Sequence, residues 1–507
     1  MNPTARLVLG DARRIPLPEN SVNCVVTSPP YWSLRDYHLS PLIWDGQPDC
    51  QHEWGAQLIN KERGSVHGAT AKVGNTLRGI SGTQTLRGQF CQRCGAWQGN
   101  LGDEPTPELY VQHIVQIFRE VKRVLRPDGV CWVNLGDSYA SGGGGARGIN
   151  SQTGFQKEFQ KGAPISSGFK PLDLIGIPWR VALALQADGW YLRQDVIWAK
   201  PNPMPESVAG WRWERHHLKV KISQRDTGKS NIQGDSRHNR ESKAKWADCP
   251  GCPQCLPNDG LVLRKGAWRP TTAHEYIFML TKSQTYFADQ ESVRESLAES
   301  TLNDPRNATG HHSQGKYGTK YIDESGQGPP SFYRGKVFVN PESGRNMRSV
   351  WTFPTQSFAG PHFATYPERL PELCIKASTS EKGYCPKCGG PWVRVIPPSP
   401  EYQEFLKAAG SNWYQIKDEL INSKKSGNKY DISPEYLTIG WRHSCPCNAG
   451  DPVPGLVLDP FCGAGTTGVV ALRLGQGFVG LDLSGKYLDM AERRIHDDAP
   501  MLNNVVR

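Results

Sequence analysis

Leu456-Val457-Leu458-Asp459-Pro460-Phe461-Cys462-Gly463-Ala464-Gly465-Thr466-Thr467 reads as a short buried strand, a glycine-rich turn and the start of a helix. In open α/β proteins this succession brings a ligand against the free amides of a helix N-terminus, and Gly463 and Gly465 allow close backbone approach. A glycine-rich turn alone is weak grounds. Asp482 strengthens the reading, because it ends the next strand about 20 residues on, where a carboxylate can take both hydroxyls of a ribose.

Working outward, the chain repeats the same alternation. Residues 7–9 and 22–26 are short, β-branched, apolar runs of the kind buried parallel strands show. Leu109, Ile114, Phe118, Val121 and Leu125 recur at helical spacing until Arg126-Pro127-Asp128-Gly129 stops them, and 130–133 reads as the next strand. Residues 177–185 and 467–474 read as helices; 191–198, 276–280 and 478–482 read as strands. The pattern predicts a doubly wound, mostly parallel α/β sheet. Residues 44–100, 201–268 and 300–348 break the rhythm and read as insertions or a recognition region, and the glycine run 142–145 reads as a mobile loop.

At 507 residues the chain accommodates one large core with insertions. The 59 Lys and Arg against 49 Asp and Glu give a net charge of +10, which favours a polyanionic partner. The first ten residues hold only a three-residue apolar run, so no secretory signal is expected there. No run approaches the roughly 18 apolar residues of a membrane span. A cytoplasmic protein is expected, with its 14 cysteines reduced; their CxxC pairs point to metal rather than disulfides.

Val25-Val26-Thr27-Ser28-Pro29-Pro30-Tyr31-Trp32 also follows a strand, and its two prolines stiffen an extended turn at the sheet edge where ligands bind. Pro-Pro alone would be a plain strand-ending turn. The whole string suits an exocyclic base amine, whose lone pair is delocalised into the ring. Ser28 Oγ and the Pro29 carbonyl can accept its two hydrogens while the nitrogen becomes more tetrahedral. Tyr31 offers a ring on which a base flipped out of the duplex can stack.

With both stretches in view, the sequence resembles the amino-group DNA methyltransferases, the N4-cytosine and N6-adenine enzymes, with motifs in the permuted order called the β group. Ser28, Pro29, Pro30 and Tyr31 match the family's catalytic motif. Asp459, Phe461, Gly463, Gly465 and Thr466 match its cofactor loop, and Asp482 its ribose-binding acid. The resemblance implies S-adenosyl-L-methionine as cofactor, with Asp459 toward its methionine end, and double-stranded DNA as substrate. Asp11, after Gly10, resembles the acid that meets the cofactor adenine. Residues 362–367, with Leu370 and Leu373, resemble the helix lining the methionine pocket. It implies a seven-stranded Rossmann-like methyltransferase sheet, circularly permuted. The commonest adenine motif of the family begins with Asp. Ser28 in that place resembles the N4-cytosine enzymes, with N6-adenine as the alternative. A separate cognate restriction endonuclease and pairing into a homodimer accord with the same family. An RNA or protein amide methyltransferase, or a zinc-stabilised DNA-binding protein without catalysis, are the rival readings.

Three cysteine groups are candidate structural Zn²⁺ sites. Cys385 and Cys388 with Cys445 and Cys447 supply four thiols; Cys91 and Cys94 find partners in Cys50 and His52; Cys249, Cys252 and Cys255 need a fourth ligand, His216 or His217. Cys24, Cys131, Cys374 and Cys462 read as core. Residues 211–246 hold ten Lys and Arg against four Asp and Glu, with Trp211, Trp213 and Trp246 for stacking or local core. Tyr317, Tyr321, Arg334 and residues 345–348 are placed with the same surface.

The expected partition is therefore 1–43 catalytic motif, 44–100 zinc insertion, 101–200 core, 201–348 target recognition, 349–383 core, 384–450 zinc ribbon and 451–507 cofactor binding.

Overall fold

Every residue of Val22–Thr27 (β2) is buried, as a strand covered on both faces must be. Its side chains divide between two cores. Val22 and Val25 pack with Cys131, Val133 and Leu135, whereas Cys24 and Val26 pack with Val130 and Trp132. In this computed structural model β2 is the middle strand of a nine-stranded sheet. The others are β1 (Thr4–Leu9), β3 (Leu125–Leu135), β4 (Tyr191–Ala199), β5 (His274–Thr281), β6 (Val350–Thr352), β7 (Leu456–Asp459), β8 (Gly477–Asp482) and β9 (Asn504–Val506). Their order is β6-β4-β5-β3-β2-β7-β8-β1-β9. Only β5 is antiparallel to its neighbours, β3 and β4; all other pairings in the sheet are parallel.

The count corrects the expected seven strands to nine among the described residues. The two additional strands, β6 and β9, are three-residue edges, too short to leave a periodic signal in sequence. The structure describes residues 3–33, 39–56, 59–61, 84–86, 88–140, 169–170, 172–203, 205–206, 209–221, 244–296, 344–356, 366–396, 438–447, 449–500 and 504–507. The expectations for 142–145, for most of 300–348 and for 362–365 lie outside them.

Helices cover both faces. On the first core lie α1 (Pro107–Val124) and α2 (Ile177–Ala187), contributing Tyr110, Ile114, Phe118 and Val181. On the second lie α3 (Arg369–Ser378), α4 (Thr466–Arg473) and α5 (Gly485–Asp498), contributing Leu373, Val469 and Leu488. The α1 start is specified locally: Thr106 Oγ1 accepts from Leu109 N at 3.2 Å and Pro107 takes the first helical position. Beyond α1, β2 meets β3 at Val22 and Leu125 and again at Cys24 and Val130, so the four residues 126–129 loop out opposite Asn23. Cys24, Cys131, Cys374 and Cys462 are buried as core residues.

Residues Pro201–Ala273 form a unit of their own, made of two antiparallel ribbons, Arg212–Arg215 with Leu261–Arg264 and His217–Lys221 with Ala244–Asp248. Leu42–Trp44, Gln89–Phe90 and Trp97–Gly99 make a three-stranded sheet, and Trp392–Val395 pairs with Gly440–His443. Among the described residues no helix is long and apolar enough to cross a membrane.

Candidate active site

The parallel strands end along one sheet edge, and β5 begins there, so the residues just after β2, β3, β4 and β7 converge with the first residues of β5. Thr27 closes β2 and Asp459 closes β7, and Thr27 Oγ1 donates to Asp459 Oδ1 at 2.7 Å. Asp459 is buried, at 1% exposure. It accepts also from Thr467 Oγ1 at 2.8 Å, Tyr366 OH at 3.0 Å and Phe461 N at 3.1 Å. Burial pushes its carboxyl upward while these donors pull the other way. The Tyr366 phenol, buried against Asp459, is pushed well above its usual range.

The turn after β7 depends on its last glycine. Gly465 has a left-handed backbone (φ 73°), and a Cβ there would stand 2.8 Å from Ala491 Cβ. No side chain caps α4, which leaves its first-turn amides for a ligand. Asp482 ends β8 beside this turn: Oδ2 accepts from Gly463 N at 2.9 Å and Oδ1 from Ser484 N at 2.8 Å. Burial raises its carboxyl to about 6. Gly10 N donates to Asp482 O at 3.0 Å, which sets Asp11 at the same edge. The Asp11 carboxylate is itself held by Arg13 Nε at 2.8 Å and Nη2 at 2.6 Å. Phe461 is half-buried against the first core, and the buried Thr466 accepts from Arg494 Nη1 at 2.7 Å.

Across the edge, Pro29 is buried and the Pro30 carbonyl accepts from Tyr110 OH at 2.8 Å, so α1 holds the proline turn in place. Ser28 Oγ donates to Tyr31 OH at 3.2 Å, and Tyr31 OH donates to Glu275 Oε2 at 2.8 Å. Asn134 Nδ2 donates to both, at 2.8 Å to Tyr31 OH and 2.9 Å to Glu275 Oε2. Lys200 Nζ completes the set on Glu275 Oε1. A Cβ on Gly136 would come within 2.6 Å of Tyr31 Cε2 and 3.0 Å of Cδ2, so that side of the Tyr31 ring packs against a glycine where no larger residue fits.

Asn134, Gly136, Lys200 and Glu275 were missing from the sequence-derived site. The signal for them is positional: Asn134, Gly136 and Lys200 stand at the carboxyl ends of β3 and β4, and Glu275 is the second residue of β5. Tyr366 fell inside the 362–367 segment already tied to the cofactor.

A buried strut reaches the same turn from the insertion. Trp32 Nε1 donates to Glu104 O at 2.9 Å, and Glu104 Oε2 accepts from Gly102 N at 2.7 Å. Glu104 Oε1 lies 2.9 Å from His113 Nδ1, whose Nε2 lies 3.1 Å from Asp45 Oδ2. Trp44 stacks on the His113 ring with centroids 4.3 Å apart. Burial pushes the Glu104 carboxyl up.

Each expected cysteine group converges. The ligand atoms of Cys50, His52, Cys91 and Cys94, of His216, Cys249, Cys252 and Cys255, and of Cys385, Cys388, Cys445 and Cys447 lie within 4.8 Å of one another in each set. His216, not His217, joins the second: His216 Nδ1 is 3.2 Å from Cys252 Sγ, whereas His217 Nε2 faces Asp248 Oδ1 at 3.1 Å. Alternation along a ribbon explains the choice, since successive side chains point to opposite faces. A tetrahedral zinc with Zn–S near 2.3 Å needs sulfurs about 3.8 Å apart. Cys50 and Cys91 stand at 3.9 Å, and Cys252 and Cys255 at 3.7 Å, so these two sets have the spacing that ion needs.

The fold and site define an open α/β enzyme whose cofactor loop and proline turn close adjacent strands. A family model described as DNA methylase matches residues 22–385 and 448–493, and the chain belongs to this N6/N4 family. It is 28% identical to the type II methyltransferase M.Cfr9I of Citrobacter freundii, over 99% of this chain and 90% of that protein. To M.SmaI of Serratia marcescens it is 26% identical, over 97% and 91%. Among solved structures, PvuII DNA methyltransferase (cytosine-N4-specific) aligns over 100% of this chain and 97% of that one at 12% identity, with a TM-score of 0.36.

Proposed function

We propose that this DNA methyltransferase carries a methyl group from S-adenosyl-L-methionine to an exocyclic amine of a base flipped out of duplex DNA, with N4 of cytosine as the target. The observation that carries the reading is the direct bond between the two motifs: Thr27, one residue before Ser28, donates to Asp459 of the cofactor loop at 2.7 Å. That contact supports a methyl donor, held by the loop, lying beside the proline turn. Asp459, Gly463, Gly465 and Thr466 would hold the methionine end, Asp482 the ribose and Asp11 the adenine side. The sulfonium supplies an electrophilic methyl group, so Ser28, Pro29, Pro30 and Tyr31 need only orient the amine and stack its ring. Ser28 in place of an acid supports cytosine over adenine.

The type II methyltransferase relatives support site-specific action. The Pro201–Ala273 unit, which exposes Trp211, Trp213, Trp246 and Trp268, is the reading surface we assign to DNA. The three cysteine sets would hold structural Zn²⁺, because four protein ligands leave no position for water.

Purified protein incubated with isotope-labelled S-adenosyl-L-methionine and mixed-sequence duplex DNA, followed by nucleoside mass spectrometry, tests this. Labelled N4-methylcytosine is expected, greatly reduced in Ser28→Ala and Tyr31→Ala. Labelled N6-methyladenine would overturn the target base and leave the site standing; no labelled nucleoside would overturn the reading.

A further inference from the structure

The methylated amine must shed a proton, and a serine hydroxyl is a poor place to leave it. We propose that Glu275 is the terminal acceptor of that proton, reached through a relay of Ser28 and Tyr31. The inference rests on the site reading above, in which the base amine meets Ser28.

Three observations carry it. The chain of hydroxyls has a direction: Ser28 Oγ donates to Tyr31 OH at 3.2 Å, and Tyr31 OH donates to Glu275 Oε2 at 2.8 Å. Tyr31 has one hydroxyl hydrogen, and because Asn134 Nδ2 and Ser28 both donate to its oxygen, that hydrogen goes to the carboxylate. Among the described residues, the groups that bond Glu275 are all donors: Tyr31 OH, Asn134 Nδ2 at 2.9 Å and the Lys200 ammonium. An acceptor-only carboxylate satisfies that pattern and a carboxylic acid does not. Finally, the Glu275 side chain keeps 18% of its surface open, so a proton delivered there can leave to water.

In the step, the N–CH₃ bond forms as the S–CH₃ bond of the sulfonium donor breaks, and that bonding pair stays on sulfur. The N–H pair returns to nitrogen as its proton passes to Ser28 Oγ. Ser28 gives its own proton to Tyr31, and Tyr31 gives its proton to Glu275 Oε2. Both hydroxyls end as they began, and Glu275 ends protonated. Lys200 and Asn134 keep the carboxylate turned toward Tyr31. Glu275 acts through Tyr31 and does not touch the base, so its test needs readouts that packing alone would leave unchanged.

Single-turnover methyl transfer is measured from pH 5.5 to 8.5 on full-length protein with labelled S-adenosyl-L-methionine and duplex DNA. Glu275→Gln keeps the acceptor oxygen and size but cannot take a proton, and Tyr31→Phe keeps the ring but breaks the relay. Each is expected to slow the step by roughly the 10²-fold that a lost proton acceptor costs, with DNA affinity unchanged. Their double variant is expected to be no slower than either, as two cuts in one relay must be. Glu275→Asp should recover part of the rate. If Glu275→Gln melts early because Lys200 loses its partner, Tyr31→Phe, which leaves the Lys200 pair intact, decides alone. Rates within twofold of the parent for Tyr31→Phe and folded Glu275→Gln overturn the relay. If Ser28→Ala is equally active, the site reading itself fails; if Ser28→Ala is slow and those two variants are fast, only the relay fails.

Discussion

Asp482 is the residue at which charge, burial and the proposed ribose contact meet most directly. Its carboxyl stands at about 6, lifted from 3.8 by burial and by neighbouring Asp459, against the pull of the Ser484 and Gly463 amides. A group raised in the folded state keeps its proton there longer than in the unfolded chain. Between about pH 4 and 6 it therefore removes stability as pH rises, of the order of 3 kcal/mol at 1.36 kcal/mol per unit. Cofactor binding should run the opposite way, because a ribose diol needs the ionised acceptor. Affinity for S-adenosyl-L-methionine, read by calorimetry, is expected to be level above pH 6 and to weaken up to tenfold per unit below it. Asp482→Asn should bind more weakly and show no such slope between pH 5 and 7. A parent affinity that is flat across that window would remove Asp482 from the ribose site.

At the scale of elements, the seven longer strands of the sheet and the helices α1, α2 and α4 were legible because their signals are local, whereas β6, β9 and α5 were not read. Thr106 and Pro107 mark the start of α1, and the unbroken burial of β2 shows as an apolar run in sequence. Ser28, Tyr31, Gly463 and Asp482 were legible because each sits in a motif beside a strand end. Glu275 and Asn134 were not, since they reach the site only through the sheet order that sets β5 beside β3. The strut was hidden for the same reason: Asp45 lies 68 residues before His113, and the two meet only through tertiary packing. That strut makes its own prediction. His113→Leu would leave a Glu104 oxygen buried without its imidazole, at a cost of about 1–3 kcal/mol or more for a charged group. Melting should fall by several degrees, and kcat should fall with it while cofactor affinity holds, because Trp32 and Gly102 anchor the turn that carries Tyr31. A lower melting point with undiminished kcat would reduce the strut to a stabilising contact.

Across the whole molecule, the motif order and the placement of three cysteine sets in separate insertions divide the labour. The sheet holds the Thr27–Asp459 bond and the relay, and none of its strands contains a ligand of these sets. With zinc bound as proposed, the sets would pin short ribbons that have little core of their own, in the way metal commonly stabilises small loop-rich folds. In Pro201–Ala273, Trp211, Trp246 and Trp268 are each more than 60% exposed and fill no core, although the Lys265 ammonium stands 4.7 Å from the centre of the Trp211 ring. Two consequences can be measured together. The purified chain should carry three zinc ions by mass spectrometry of the metal, one for each set. Cys249→Ser with Cys252→Ser should remove one of them and weaken DNA binding severalfold while leaving S-adenosyl-L-methionine affinity intact, and Trp246→Ala should weaken DNA binding with all three zincs retained. Loss of cofactor affinity in the double cysteine variant would mean that the Pro201–Ala273 unit supports the catalytic sheet, and unchanged DNA binding in Trp246→Ala would take that ring out of the reading surface.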